Sequence, residues 1–162
     1  MRVFEEKQRF RQWWLIILLT VTIGGVFVNI FQKTEGFTNT ESNPLTIISL
    51  IITMLIVGSI FILELRTKIN STGVSANFAP FPFFKRHYDW SQIEKIYVRK
   101  YSALTEYGGW GIRGFNEAKA YNVSGKYGIQ IVTKENKHFL IGTQKPQDAE
   151  RVLKRYAEKL SH

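Results

Sequence analysis

Residues 13–31 and 45–63 form two apolar runs without a single charged side chain, and from residue 65 onward the pattern changes to short apolar stretches cut by turn residues. Each run holds nineteen residues. At about 1.5 Å of rise per helical residue such a run extends about 28 Å, close to the roughly 30 Å hydrocarbon core of a bilayer. The pattern therefore predicts an N-terminal two-helix transmembrane hairpin. Trp13 and Trp14 stand where the first run would meet the aqueous interface and are expected to anchor it there. A cleaved signal peptide, the rival reading of the first run, would have a shorter apolar stretch and a small-x-small cleavage site, which does not follow Phe31. Neither run holds an ionisable residue, so a transport path has no support. Gly24, Gly25 and Gly58 would allow close helix approach or simply be tolerated in such helices.

The flanking charges orient the hairpin. Arg2, Lys7, Arg9 and Arg11 precede the first run and Arg66 and Lys68 follow the second, whereas the connection 32–44 sets Lys33 against Glu35 and Glu41. Positive residues stay on the cytoplasmic side, which places both termini inside and 32–44 outside. The expected organisation is a cytoplasmic tail over 1–12, spans at 13–31 and 45–63, and a cytoplasmic domain over 65–162 of a multi-pass plasma-membrane protein. Arg66 and Lys68 are expected to contact the membrane surface.

The remainder reads as β structure. Ser71-Thr72-Gly73, Ser124-Gly125 and Glu135-Asn136 are turn signals between stretches of strand character at 66–70, 74–78, 118–123, 127–132 and 138–141. Residues 90–100 supply a further strand with Ile93, Ile96 and Val98 inward, giving a meander of six or seven antiparallel strands. The end is different. Pro146 suits the first turn of a helix, and Ala149, Val152, Leu153, Tyr156 and Leu160 recur on one face of it. Such a helix should close one end of a small barrel.

Composition narrows the chemistry. The 162 residues carry a formal charge of +9 and no cysteine, which excludes disulfides, thiolate metal sites and thiol nucleophiles. The basic residues are dispersed and no recognition helix or ribonucleoprotein motif accompanies them, so nucleic acid is not an expected partner. The negative inner leaflet accounts for the same charge. His87, His138 and His162 lack metal-ligand spacing, and no cofactor is implied. No nucleophile elbow, zinc-protease helix or phosphate-binding loop is present, and Glu106, Tyr107, Arg113 and His87 are too generic to nominate as a catalytic set. The expectation is a protein that is not an enzyme. Asn70 and Asn122 begin N-x-S/T strings that a cytoplasmic domain would leave unused.

Two segments stand out as candidate surfaces. Gly109-Trp110-Gly111-Ile112-Arg113-Gly114 matches the dinucleotide-binding string G-x-G-x-x-G, but no helical pattern follows it, so a loop or irregular strand is the better reading. Tyr107, Trp110, Arg113 and Phe115 would there form an aromatic and basic binding surface, unless the rings pack into the core, the reading preferred for them. Phe78, Phe81, Phe83 and Phe84 crowd around Pro80 and Pro82 just before Lys85 and Arg86. Either these aromatics turn inward from an edge strand, the preferred reading, or they enter the interfacial layer while Lys85 and Arg86 meet anionic headgroups.

The order of elements, with Gly73-Val74, Trp90-Ser91-Gln92-Ile93, the run from Tyr107 through Gly108, Gly109, Trp110, Gly111 and Ile112 to Arg113, and Ile141-Gly142-Thr143-Gln144-Lys145-Pro146, resembles bacterial membrane proteins with a pleckstrin-homology-like domain. That resemblance covers about residues 65–160 and, loosely, the preceding helix pair. It implies an α+β membrane protein in which the transmembrane hairpin precedes a bent antiparallel β-barrel capped by a C-terminal helix, used for binding or assembly. The hairpin turn 70–73 contains no Lys or Arg, so the inositol-phospholipid specificity of eukaryotic relatives does not carry over. The expected function is a membrane-anchored, non-catalytic binding or scaffold module that contacts the lipid bilayer and docks a protein partner or a second copy of itself. The alternative is an accessory domain that binds anionic lipid.

Overall fold

The computed structural model describes residues 3–10, 13–33, 44–115 and 118–156. The chain divides into two compact units, Met1–Arg9 with Leu63–His162, and Phe10–Ile62. In chain order the elements are β1 (Phe4–Arg9), α1 (Trp13–Lys33), α2 (Pro44–Ile62), β2 (Glu64–Ile69), β3 (Gly73–Ala79), a 3-10 turn (Pro82–Phe84), β4 (Arg86–Asp89), a second 3-10 turn (Trp90–Gln92) and β5 (Ile93–Lys100). There follow α3 (Ala103–Tyr107), β6 (Gly111–Phe115), β7 (Ala118–Asn122), β8 (Tyr127–Thr133), β9 (His138–Thr143) and α4 (Pro146–Tyr156).

The unit Phe10–Ile62 consists of α1 and α2, which form over the two apolar runs. A membrane span requires about 20 consecutive apolar residues, and among the described residues no helix is long and apolar enough to cross a membrane. This corrects the expected transmembrane hairpin, and with it the multi-pass plasma-membrane placement with both termini cytoplasmic. Trp13 is exposed, and the Trp14 side chain lies outside the described residues. Exposed apolar side chains on these helices include Ile16, Val21, Phe27, Ile48, Ile52 and Leu55.

The other unit is a pair of sheets, and this corrects the expected closed barrel. One sheet runs β1-β2-β3-β4, antiparallel throughout. The other runs β5-β8-β9-β7-β6, with β7 and β9 parallel. A barrel fails to close because the turn at Trp90–Gln92 carries the chain from one sheet to the other: β5 pairs with β8, not with β4. The parallel pair arises because the β8–β9 hairpin returns β9 into the place beside β7. Residues 4–9, expected to be part of a tail, supply an edge strand in register with β2 from Phe4 opposite Ile69 to Arg9 opposite Glu64.

Apolar side chains from the two sheets meet in one core. Leu65, Ile69, Val74 and Phe78 come from the first sheet; Tyr121, Ile129, Ile131, Phe139 and Ile141 come from the second. Aromatic rings bridge the layers, Phe78 lying 5.4 Å from Tyr121 and Tyr88 5.4 Å from Phe139 between ring centroids. Helix α4 starts at Pro146, whose missing N–H costs nothing in the first turn. It buries Ala149, Val152, Leu153 and Tyr156 and packs on β5, β8 and β1. Tyr156 stacks on Trp90 at 5.1 Å, and the Trp90 indole N–H donates to the Asn70 carbonyl at 3.0 Å. The helix is thereby tied to the β2–β3 hairpin.

Candidate functional site

The β8–β9 hairpin turns tightly because Asn136 adopts a left-handed backbone (φ 59°), a conformation asparagine tolerates better than most residues. The Asn136 N–H donates to the Thr133 carbonyl at 2.8 Å, and the Lys137 N–H donates to the Thr133 hydroxyl at 3.1 Å. One further bond, from the Lys134 N–H to the Gln92 carbonyl at 3.0 Å, clamps this hairpin to the turn at Trp90–Gln92. That turn is itself closed by the Asp89 N–H donating to the Gln92 side chain at 3.0 Å.

Between these pieces lies a cavity of about 390 Å³. From β4 it receives Arg86, His87 and Tyr88; from β7, Lys119. The hairpin contributes Thr133, Lys134, Glu135, Lys137 and His138, and Gln92 completes the wall. Among the described residues, four cations thus line the cavity with one carboxylate. That carboxylate is already engaged: Lys137 lies 2.5 Å from Glu135 and its hydrogen bond holds the Glu135 carboxyl below the ordinary range. His87 pairs with Asp89 at 3.1 Å. Arg86, Lys119 and Lys134 have no acidic partner among the described residues. Burial pushes the Tyr88 hydroxyl above its ordinary value, against the opposing pull of Arg86 and Lys137.

The lining thus gathers guanidinium, ammonium, hydroxyl and imidazole groups, and charge-assisted bonds to phosphate-like oxygens are the strongest such donors make. Among the described residues there is no group of three or more His, Asp or Glu side chains that could hold a metal ion.

The sequence-nominated surface is organised differently. Helix α3 is capped by the Ser102 hydroxyl accepting from the Thr105 N–H at 3.4 Å, while the Glu106 carboxylate accepts from the Ser102 N–H at 2.9 Å. It ends at Gly108, in the left-handed region at φ 69°. Arg99 reaches both the Tyr107 hydroxyl, at 3.2 Å, and Glu106, at 2.7 Å, and its hydrogen bond lowers the Glu106 carboxyl. Tyr107 and Trp110 pack against Tyr101, Ala103, Ala120 and Leu140. Arg113 is exposed and donates to the Trp110 carbonyl at 2.9 Å. Phe115 ends β6, and its side chain lies outside the described residues.

The remaining nominated cations are split. Arg66 bonds Glu64 at 2.7 Å and Lys68 bonds Glu5 at 2.7 Å on the face of β2. Lys85 follows the 3-10 turn at Pro82–Phe84, and Arg86 enters the cavity. Of the nominated residues only Arg86 joins the cationic cavity; Lys119, Lys134 and Lys137 were not singled out by the sequence pattern. The one available signal was the Glu135-Asn136 turn with a lysine on either side. No protein-family model and no curated protein matches this chain.

Proposed function

We propose that this chain is a non-catalytic binding module whose cationic cavity takes a phosphate-bearing anion. The observation that carries the reading is the convergence of Arg86, Lys119 and Lys134 on one cavity without acidic partners among the described residues. Like charges held together are mutually repulsive, and a bound anion relieves that repulsion. Kinship with pleckstrin-homology-like domains belongs to the same proposal; it is supported by the succession of antiparallel hairpins and by α4 lying across the second sheet.

Titration of the full chain with inorganic pyrophosphate, followed by calorimetry, tests this. Saturable binding that weakens with salt is expected, reduced at least tenfold in the Arg86→Ala/Lys134→Ala double variant and unchanged in Lys95→Ala/Lys100→Ala, which removes exposed cations elsewhere. Absence of saturable binding, or equal loss in both double variants, refutes the cavity assignment.

A second reading, self-association, is favoured by the apolar side chains that α1 and α2 expose, because exposed apolar surface of that extent marks interaction sites. Its test is the molar mass of the chain in solution by light scattering. A monomer across the accessible concentration range excludes it.

A further inference from the structure

The chain has three histidines, and two of them stand in the wall of the cationic cavity. His87 comes from β4, and His138 opens β9 just after the Glu135-Asn136 turn. Both residues are exposed. An imidazole is the one unperturbed side chain whose charge changes between about pH 5 and 8.

The other lining groups hold their state over that interval. Arg86, Lys119, Lys134 and Lys137 carry guanidinium or ammonium groups, side-chain types that give up a proton only far above it. The Glu135 carboxyl, held low by its hydrogen bond from Lys137, stays ionised. The Tyr88 hydroxyl, pushed up by burial, stays protonated. Among the described residues of the lining, the two imidazoles are thus the groups through which pH reaches the cavity.

Their surroundings differ. His87 Nε2 lies 3.1 Å from Asp89 Oδ1, and its row on the first sheet continues through Ser75 to Lys68, which is paired with Glu5 at 2.7 Å. A proton on His87 therefore has a carboxylate beside it. His138 has no acidic partner among the described residues. Its row leads to Ala118 on β7 and through Val132 to Lys95 on β5, which pairs with Glu94 at 3.6 Å. The carboxylate of the wall, Glu135, is bonded to Lys137. A proton on His138 thus adds to the like charge of Arg86, Lys119 and Lys134, and an anion in the cavity turns that repulsion into attraction.

We infer that anion binding in this cavity is coupled to proton uptake by His87 and His138, so that acidification strengthens the site. The inference rests on the cavity reading and adds its regulation. Such coupling is reciprocal: the factor by which a proton improves the affinity for the anion is the factor by which the bound anion improves the affinity for the proton.

The probe is sulfate, which keeps its full charge across this interval, whereas phosphate takes up a proton near about pH 6 and would titrate along with the protein. The full chain carries His162→Gln throughout, so that the two cavity imidazoles give the only histidine ring signals in the NMR spectrum. Sulfate affinity and ring titration are then read together at constant ionic strength. Affinity should rise at least about fivefold from about pH 8 to about pH 5.5, and sulfate should move both ring midpoints to higher pH. His87→Gln/His138→Gln should remove the rise and leave the alkaline affinity in place.

An affinity indifferent to pH, ring midpoints that sulfate leaves unmoved, a midpoint shift confined to His87, or a full rise in the double variant overturns the inference. The midpoints are read with both imidazoles present, so the test stands even if the double variant misfolds. Pyrophosphate calorimetry at the alkaline end separates the two readings. Saturable binding weakened by Arg86→Ala/Lys134→Ala, with sulfate affinity indifferent to pH, removes the coupling alone. Absence of binding by either anion at any pH removes the cavity and the coupling together.

Discussion

The Thr143 hydroxyl donates to the Glu6 carboxylate at 2.6 Å, joining the first strand to the last across 137 positions of chain. The second carboxylate oxygen accepts from the Gln144 N–H at 2.8 Å, and the Lys145 N–H donates to the Thr143 hydroxyl at 3.0 Å. Two residues on, the Gln8 amide donates to the Gly142 carbonyl at 2.7 Å. Glu6 is 4% exposed. A buried carboxylate is stable there because each oxygen has a donor, and through it β1 fixes the segment that leads into α4.

Glu6→Ala should therefore destabilise the protein by about 2–4 kcal/mol, since it removes charge-assisted bonds and strands the donors they satisfied. Glu6→Gln keeps an acceptor and should cost less. Urea unfolding followed by circular dichroism checks the order of the two variants. A Glu6→Ala midpoint equal to that of the parent chain would show that β1 contributes nothing to the stability of the sheet.

This strand also shows where the hydrophobic pattern loses its power. The inward positions of β1 are Phe4, Glu6 and Gln8, so the alternation that announces a half-buried strand is present in burial and absent in hydropathy. The hairpin of β2 and β3 was legible because Ser71-Thr72-Gly73 marks its turn and apolar residues such as Leu65, Ile69, Val74 and Phe78 fill the inner face; α4 was legible from its helical repeat. By contrast, β4 is exposed along most of its length and β6 contains two glycines within five residues, so neither had an apolar face to declare itself. The cavity was hidden for a topological reason. Arg86, Lys119 and Lys134 are far apart in the chain and are brought together by the parallel placement of β9 beside β7 and by the Lys134–Gln92 clamp, neither of which has a local sequence signature.

Glu64 predicts a pH dependence with a defined sign. Hydrogen bonds from Arg66 and then Arg9 hold its carboxyl below the ordinary value of 4.5. A depressed carboxylate contributes stability that is fully present above its unfolded value and disappears as the pH falls through the folded one. Acid unfolding of the parent chain should thus steepen below about pH 4.5, and Glu64→Gln should flatten that limb while lowering stability at neutral pH by about 1–2 kcal/mol. Thermal melts across the acid range read both effects. Parallel curves for the two proteins would assign the acid limb to other carboxylates.

Tyr101 predicts the opposite limb. Burial raises its hydroxyl from 10.0 to about 12, so the folded state favours the protonated phenol. That contribution is complete below the unfolded value and is lost as the pH climbs from 10 towards 12. Tyr101→Phe cannot ionise and should lose less stability over that interval than the parent chain. Denaturant midpoints measured at neutral and strongly alkaline pH give the comparison; an identical alkaline decline would show that Tyr101 does not set it.

Gly73 couples the hairpin to the cavity wall. A Cβ added there would lie 2.1 Å from the Tyr88 carbonyl oxygen, a backbone atom that cannot swing aside. Gly73→Ala must push β4 away from β3, at a cost of about 1–3 kcal/mol for such overpacking. Because Arg86, His87 and Tyr88 all stand on β4, the same displacement should weaken pyrophosphate binding even though residue 73 bears no charge. Unchanged affinity in a folded Gly73→Ala variant would mean that β4 does not position the anion.

The two surfaces nominated by different routes, the Tyr107–Phe115 region and the cationic cavity, separate cleanly in a paired experiment on Trp110 and Arg86. Trp110 packs against Tyr101, Ala103, Ala120 and Leu140, so Trp110→Ala removes aromatic packing and should cost about 2–4 kcal/mol of stability. It lies outside the cavity lining and should leave pyrophosphate affinity at the parent value under conditions where the variant is folded. Arg86 is exposed and contributes little to packing, so Arg86→Ala should keep the parent unfolding midpoint within about 0.5 kcal/mol while weakening the anion several-fold. The two readouts should therefore move in opposite pairs. If Trp110→Ala abolishes anion binding while remaining folded and Arg86→Ala does not, the ligand sits at the glycine-rich loop and the aromatic ring is part of its site.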